Sequence, residues 1–310
     1  MKRVLLLAAL VAASLRADET AETPAGTPAR APEQSPGLTD DQLRLRGIFN
    51  TSLPDTERKH SLRFIFHPHF GDFTEKDHVR IPLGFRYGIT EKWEGTAEVE
   101  GYVSHGFGDV PAFKEYGFST IHLGTKYRLG ELRWGGWDTA VGFDYLQPVG
   151  HPPPDVTDGL THLVPFVSFS RRLEADPRWR AFWGFGADLI NKTDVVGELE
   201  KNQIGDDSVN VSGGVVWDRN HWHYTLEGQI ATSRGIGAPE DSTVFTLRPG
   251  VVWDVPDKYT HWVGGNWVIG LALRATDGPD GLDFGAGMKV RVDFDFKKLI
   301  GRKPKAIGEK

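Results

Sequence analysis

The chain has 310 residues, a net charge of −6 and no cysteine. The lack of cysteine excludes disulfides, thiolate metal ligands, a cysteine nucleophile and a lipoprotein anchor. The acidic balance gives no footprint for nucleic acid, which would need a clustered basic face, so no nucleic-acid partner is expected. Glycine (37), phenylalanine (18) and tryptophan (10) are frequent, which favours strands and tight turns over helices.

The first residues have the pattern of a secretory signal peptide. Two basic residues precede an apolar run over 4–13, and small residues follow up to Ala17. This run is too short to span a bilayer as a helix, and a small residue at the cut is typical of export signals. We therefore expect 1–17 to be removed after Ala17. Cleavage after Ser14 and retention as a membrane anchor are the alternatives.

A linker is predicted between the signal peptide and the first strand. Residues 18–36 are rich in Ala, Thr, Pro and Glu, a composition that cannot bury a core and favours disorder. Residues 38–46 can form one or two helical turns or stay extended. We predict that 18–58 is a disordered linker followed by a pre-barrel segment.

From His60 to Phe296 the hydrophobic pattern has a period of two. In the last segment every even position from Leu282 to Phe296 is apolar, and the odd positions carry glycine or charge. A strand places these two classes on opposite faces. Similar segments predict about twelve strands, with ten or fourteen as the alternative counts. The predicted strands are 60–70, 78–89, 93–105, 115–129, 137–147, 160–171, 178–190, 208–218, 221–233, 243–255, 261–275 and 282–296.

The length and spacing of these segments predict an all-β fold, a closed antiparallel transmembrane β-barrel over 59–296. The last segment is longer than the five or six residues that are usual in soluble proteins. Short connections alternate with longer ones, as in outer-membrane barrels with short periplasmic turns. No later segment is apolar enough for a membrane helix. The basic tail 297–310 is then expected in the periplasm of a Gram-negative bacterium.

Most tryptophans flank the short connections, which would place them at one height of the barrel. An indole ring favours the boundary between membrane and water because the ring is apolar and its N–H needs a polar partner. A soluble sandwich with tryptophans at one end is the alternative. The predicted membrane-interface anchors are Trp93, Trp137, Trp179, Trp217, Trp222, Trp253 and Trp262.

A resemblance to known proteins is carried by the run from Arg86 to Glu94, which contains Tyr-Gly-Ile-Thr-Glu, and by the terminal strand. The run resembles a turn common among outer-membrane barrels. The chain is similar there to the putative transporter family of the meta-pathway of phenol degradation. The resemblance implies an outer-membrane channel or transporter, with aromatic or other small solutes as cargo.

If the apolar parity faces lipid, the polar parity faces the lumen. Basic and acidic residues balance there, which argues against a strong ion-selective field. A network of ion pairs filling the barrel is the alternative to an open pore. The predicted pore-lining residues are Arg63, Arg80, Arg86, Glu98, Glu100, Lys126, Asp144, Asp188, Glu227, Arg248, Arg274, Lys289, Arg291 and Asp293.

The sequence carries no clear enzyme signature. Ser119 and His122 are three positions apart, so strict alternation predicts opposite faces for them. His67 and His69 share a parity but lack a third ligand, so no metal and no cofactor are expected. The predicted function is passive passage of small solutes. The alternatives are a plugged structural or surface-binding barrel and, third, an outer-membrane lipid hydrolase. Expected partners are outer-membrane lipid, lipopolysaccharide and the barrel assembly machinery during insertion.

Overall fold

The segments with alternating apolar and polar residues form one sheet that closes on itself. A computed structural model describes residues 51–66, 68, 76–132, 135–234, 236, 242–261 and 265–295. The predicted signal peptide, residues 18–50 of the linker, Trp262 and the tail 297–310 lie outside these residues. So do His67 and His69.

Twelve strands form a closed antiparallel barrel in which each strand pairs with the next and β1 pairs with β12. The strands are β1 (Ser61–Phe66), β2 (His78–Gly88), β3 (Trp93–Ser104), β4 (Tyr116–Glu131), β5 (Asp138–Pro148), β6 (Leu160–Arg172), β7 (Trp179–Lys192), β8 (Ser208–Arg219), β9 (Trp222–Thr232), β10 (Thr243–Val255), β11 (Asn266–Asp277) and β12 (Asp283–Asp295).

The predicted fold class and strand number are confirmed. Most strand ends lie within two residues of their predicted positions. β11 is the main exception, because it begins at Asn266 instead of 261. Closure leaves no open sheet edge, which a strand surrounded by lipid could not tolerate. The register of the closing pair places Arg63 opposite Asp293.

Two positions depart from simple alternation. Ser119 is an extra residue in β4, because Glu100 pairs with Thr120 and Gly101 pairs with Phe118. This bulge turns Ser119 away from the exterior, and its side chain is fully buried. Pro165 cannot donate a ladder hydrogen bond, and the β6–β7 register omits it while the strand continues on both sides.

The exterior of the barrel is apolar. Large apolar side chains on alternate strand positions are exposed to the surroundings, for example Phe85, Leu226 and Leu271. Their inward neighbours Gly84, Glu227 and Ala272 are buried. A continuous apolar surface of this kind suits contact with lipid chains better than contact with water.

The two ends of the barrel differ. We call the end with the connections 89–92, 173–178 and 220–221 the short-turn end, and the opposite end the long-loop end. Described tryptophans lie on the outer surface at the short-turn end, where Trp179 stacks on Trp217 with ring centroids 6.1 Å apart. Trp222 stacks on Trp253 at 5.6 Å.

Helical structure is confined to single turns among the described residues. A 3-10 turn, η1 (Pro154–Val156), lies in the connection between β5 and β6. A four-residue helix, α1 (Asp257–Thr260), follows β10. No helix in this part of the chain is both long and apolar enough to cross a membrane.

Candidate functional site in the barrel interior

The segment before the first strand enters the barrel. Residues 51–57, which we call the inner segment, lie inside the wall without forming a strand. Leu53 is 1% exposed and packs with Phe182, Val216 and Val252, inward residues of β7, β8 and β10. This apolar cluster holds the inner segment against the wall by hydrophobic contact.

Polar contacts hold the inner segment on several sides of the wall. Near the middle of the barrel the Thr51 N–H donates to Glu227 Oε2 at 3.2 Å. The Lys126 Nζ donates to the Leu53 carbonyl at 2.7 Å. Asp55 Oδ2 lies 2.6 Å from Arg180 Nη2. The segment is thereby fixed to strands that lie far apart around the barrel.

The inner segment leaves the lumen beside β3. The Glu57 N–H donates to Glu94 Oε2 at 2.7 Å, and Glu94 Oε1 lies 3.1 Å from Lys126 Nζ. The Glu57 carboxylate in turn lies 3.1 Å from Arg63 Nε. These charges are nearly all buried, so each must keep a partner, because an isolated buried charge is costly.

Four histidines stand between pairs of carboxylates. His122 has Asp144 at 2.9 Å and Glu98 at 3.8 Å on its two ring nitrogens. The same arrangement recurs at His78, His162 and His223 with other carboxylates. Each imidazole links groups on different strands or loops, so these clusters cross-link the interior of the barrel.

The prediction that Ser119 and His122 point to opposite faces of the sheet is wrong. The bulge in β4 turns Ser119 inward, where its side chain is buried. The Ser119 hydroxyl donates to Glu100 Oε1 at 2.9 Å. Both nitrogens of His122 face carboxylates. A serine nucleophile needs a base within hydrogen-bond reach, and His122 is turned to other partners.

Described loops contact one another at the long-loop end. The Glu198 N–H donates to the carbonyls of Pro154 and Thr157, which joins the connection 193–207 to η1. The Asn202 side chain donates to the Gly281 carbonyl at 2.7 Å, and the Asn202 N–H donates to Asp280. Three connections are therefore tied together over the barrel.

Asp158 connects these loops to the barrel wall. Its carboxylate lies 2.9 Å from His162 Nε2 and accepts a hydrogen bond from Gln203. Burial acts to raise the pKa of Asp158, but the hydrogen bonds from His162 and the Leu160 N–H outweigh it and lower that pKa below its ordinary value. Asp158 therefore stays ionised at neutral pH.

A cavity of about 430 Å³ remains between the wall and the loops. This volume lies within the range of small-molecule sites, about 300–1,000 Å³. One part of its lining is apolar, with Pro82, Leu146, Val156 and Leu160. The charged part of the lining consists of Lys76, Arg80, Glu98, Glu100, Asp158, Glu198, Glu200, Arg248 and Arg274, with His122 and His162 beside them.

Glu200 is the point at which three of the cations of this cavity meet. Its carboxylate is in direct contact with Arg80, and it lies 3.6 Å from Lys76 Nζ and 3.9 Å from Arg274 Nη1. Arg274 also pairs with Asp283 at 2.9 Å. The Arg274 Nε is buried and has no hydrogen-bond partner among the residues that the structure describes.

The structure places the residues predicted to line the pore as follows. Arg80, Glu98, Glu100, Arg248 and Arg274 meet at the cavity. Asp144 and Asp188 bond to the histidines of β4 and β6. The rest are not among the residues that line this cavity: Arg63, Arg86, Lys126, Glu227, Lys289 and Arg291. Asp293 belongs to β12, but its side chain lies outside the described residues.

Sequence patterns alone did not indicate Glu200, Asp158 or Leu53 as interior residues. All three belong to connections or to the pre-barrel segment, where no period assigns a face. A weak signal exists for Leu53, since it is the one large apolar residue between Thr51 and His60.

No family model matches the chain, and no curated protein matches it. Membership of the phenol meta-pathway family therefore stays a prediction. Among solved structures, the fold is similar to an outer-membrane channel from Pseudomonas putida F1, with 9% identity and a TM-score of 0.51 over 79% of this chain and 100% of that chain.

Two porins show weaker similarity. The KdgM porin is 7% identical with a TM-score of 0.41, over 76% of this chain and 98% of that chain. The NanC porin is 10% identical with a TM-score of 0.41, over 75% and 98%. At sequence identities this low, the similarity establishes the fold and no other property. The chain thus has the closed twelve-stranded architecture found in an outer-membrane channel.

Proposed function

We propose that this protein is an outer-membrane channel for the passive passage of small solutes. The observation that carries the proposal is the charged cavity inside a closed barrel whose outer surface is apolar. A lipid-facing exterior with a polar, partly empty interior is the arrangement of water-filled and substrate-filled barrels. The cargo would have an apolar part, because Leu146, Val156 and Leu160 line one part of the cavity.

The inner segment is proposed as the barrier at the short-turn end. It is held by polar contacts with wall side chains and by the apolar side chain of Leu53, not by strand pairing. Contacts of this kind can be released without breaking the sheet ladder. Release would connect the cavity with the short-turn end. The residues predicted to line the pore would then contact the solute, and the tryptophans of the short-turn end would anchor the barrel at the periplasmic interface.

A sealed barrel is the second candidate function. Buried ion pairs such as Lys126–Glu94 and Arg180–Asp55 favour it, because removing one partner of a buried pair is strongly destabilising. In that case the protein would act through its surface, and the inner segment would be a permanent part of the core.

A reversible cross-link separates the two candidates. The natural chain has no cysteine, so Leu53→Cys with Val252→Cys introduces the only two thiols, at positions that pack together. With the pair joined by a short bis-methanethiosulfonate reagent, which forms a disulfide with each thiol and releases methanesulfinate, a planar bilayer should show no conductance steps. Cleavage of the cross-link should restore steps of the size seen for the natural protein.

The matched control places both thiols on the wall, with Val216→Cys and Val252→Cys, which leaves the inner segment untethered. Its conductance should not depend on the cross-link. Silence of the natural protein and of a version lacking 18–58, with insertion verified in both, would refute the channel and leave the sealed barrel.

A further inference from the structure

The carboxylate of Glu200 occupies a position that a solute carboxylate would suit. Two arginines and one lysine from separate elements converge on it: Arg80 of β2, Arg274 of β11 and Lys76 before β2. Arginine is well matched to carboxylates because its planar fork of donors can bind two oxygens at once. The site therefore recognises one carboxylate group, and a side chain of the protein currently fills it.

Glu200 is replaceable there because its loop is held by other contacts. The Glu200 N–H donates a hydrogen bond to Gln203 Oε1 at 2.9 Å. The neighbouring Glu198 N–H is bonded to η1, and Asn202 is bonded to the connection 278–282. The side chain of Glu200 can therefore leave the cations while the backbone of the loop stays in place.

The surroundings define the rest of the ligand. Val156 of η1 is 1% exposed and lines the cavity together with Pro82, which is the next inward residue after Arg80 on β2. An apolar surface thus begins beside the cation cluster. A ligand with a short hydrocarbon body and one carboxylate matches both features, whereas a polar solute without a charge matches neither.

We infer that the cavity is a binding site for small organic monocarboxylates, in which the solute carboxylate displaces Glu200 from Arg80, Lys76 and Arg274. This inference deepens the proposed channel function and rests on it for its physiological meaning. Glu200 then acts as an internal competitor that keeps a carboxylate against these cations between solutes. A carboxylate there matters because unpaired guanidinium groups in a partly buried cavity are unfavourable.

Binding is measured on the full chain in detergent by saturation-transfer NMR, with butyrate and its neutral analogue butyramide as probes. Glu200→Gln should strengthen butyrate binding by about tenfold, since one charge-assisted interaction no longer competes. Arg274→Gln should weaken butyrate binding by a similar factor. Butyramide binding should change by less than about twofold in either variant.

Glu198→Gln is the matched control for charge. It removes the same charge from the same loop and the same cavity, but no described ion pair joins Glu198 to the three cations. It should therefore strengthen butyrate binding much less than Glu200→Gln does. Equal effects of the two variants would show a general field effect and overturn the inference, as would equal binding of butyrate and butyramide to the natural protein.

Bilayer currents in potassium chloride, recorded on the same preparations, separate this inference from the channel proposal. Butyrate binding without any current would retain the site and refute the channel. Current in the absence of a carboxylate preference would retain the channel and refute the site.

Discussion

At the scale of single residues, the two faces of each strand tolerate charge differently. Leu271 is 53% exposed on the outer surface in the middle of β11. Leu271→Arg should weaken insertion by about 2–4 kcal/mol if that position lies near the bilayer midplane, because a guanidinium there must leave water. The measurement is a urea titration of folding into lipid vesicles. Leu83→Arg and Val99→Arg should behave alike.

The control variant places the same new charge on the inner face of the barrel. Thr120 lines the cavity, so Thr120→Arg places a guanidinium among carboxylates and space instead of lipid. Its folding should stay within about 1 kcal/mol of the natural protein, as expected for a solvated site. Equal losses for Leu271→Arg and Thr120→Arg would contradict the assignment of faces.

At the scale of elements, the loops over the long-loop end should loosen in acid. The folded-state pKa of Asp158 is lowered by its bonds to His162 and the Leu160 N–H. Its contribution is therefore complete above the unfolded pKa of about 4 and is lost as pH falls through the folded value. Hydrogen exchange of 154–160 and 198–203, corrected for intrinsic rates, should show less protection at about pH 3 than at pH 6.

Asp158→Asn tests the cause of this loosening. The variant should already lack part of the protection at pH 6, and it should differ little from the natural protein in acid. If the variant and the natural protein lose protection in parallel over the whole range, other carboxylates control the loops and Asp158 does not.

Strands were predictable from the sequence, and connections were not. A period of two assigns each strand residue to a face, which is why β12 and β2 match their predicted ranges closely. No such rule places Glu200 or Asp158, because a loop residue's position depends on contacts with distant strands. The bulge at Ser119 reverses the parity within one strand and leaves no mark in the hydrophobic pattern.

Among the candidate site residues, the direction of the side chain was predictable but the partner was not. Arg80, Glu98 and Glu100 were all predicted to face the lumen, and all three do line the cavity. The closest described partner of Arg80 is Glu200 from a loop. Strand register fixes neighbours along the wall, whereas contacts across the lumen depend on how the connections fold inward.

At the scale of the whole molecule, closure should make the barrel resistant to detergent. Every strand has partners on both sides, so unfolding must break the sheet as a unit. Unheated protein in dodecyl sulfate should migrate on a gel at a different apparent size from boiled protein. Migration that is independent of heating would count against a closed barrel.

Val290→Pro tests how far this resistance depends on the strand pairing near the closing seam. Val290 lies in β12 between Ile269 of β11 and Phe66 of β1, and proline there removes a ladder hydrogen bond near the seam. The gel band of the folded variant should convert to the band of the boiled, unfolded protein at a lower temperature than it does for the natural protein.

The stacked tryptophans give the barrel an optical gauge of its own assembly. Trp179 and Trp217 meet at the short-turn end of β7 and β8, whose connecting loop is at the opposite end. A slip of one residue would move one indole from the outside to the inside, and the stack would be lost. Exciton coupling between paired indoles, seen as circular dichroism, therefore reports correct strand register at the point farthest from the loop that joins the strands. A second pair, Trp222 and Trp253, reports independently on β9 and β10.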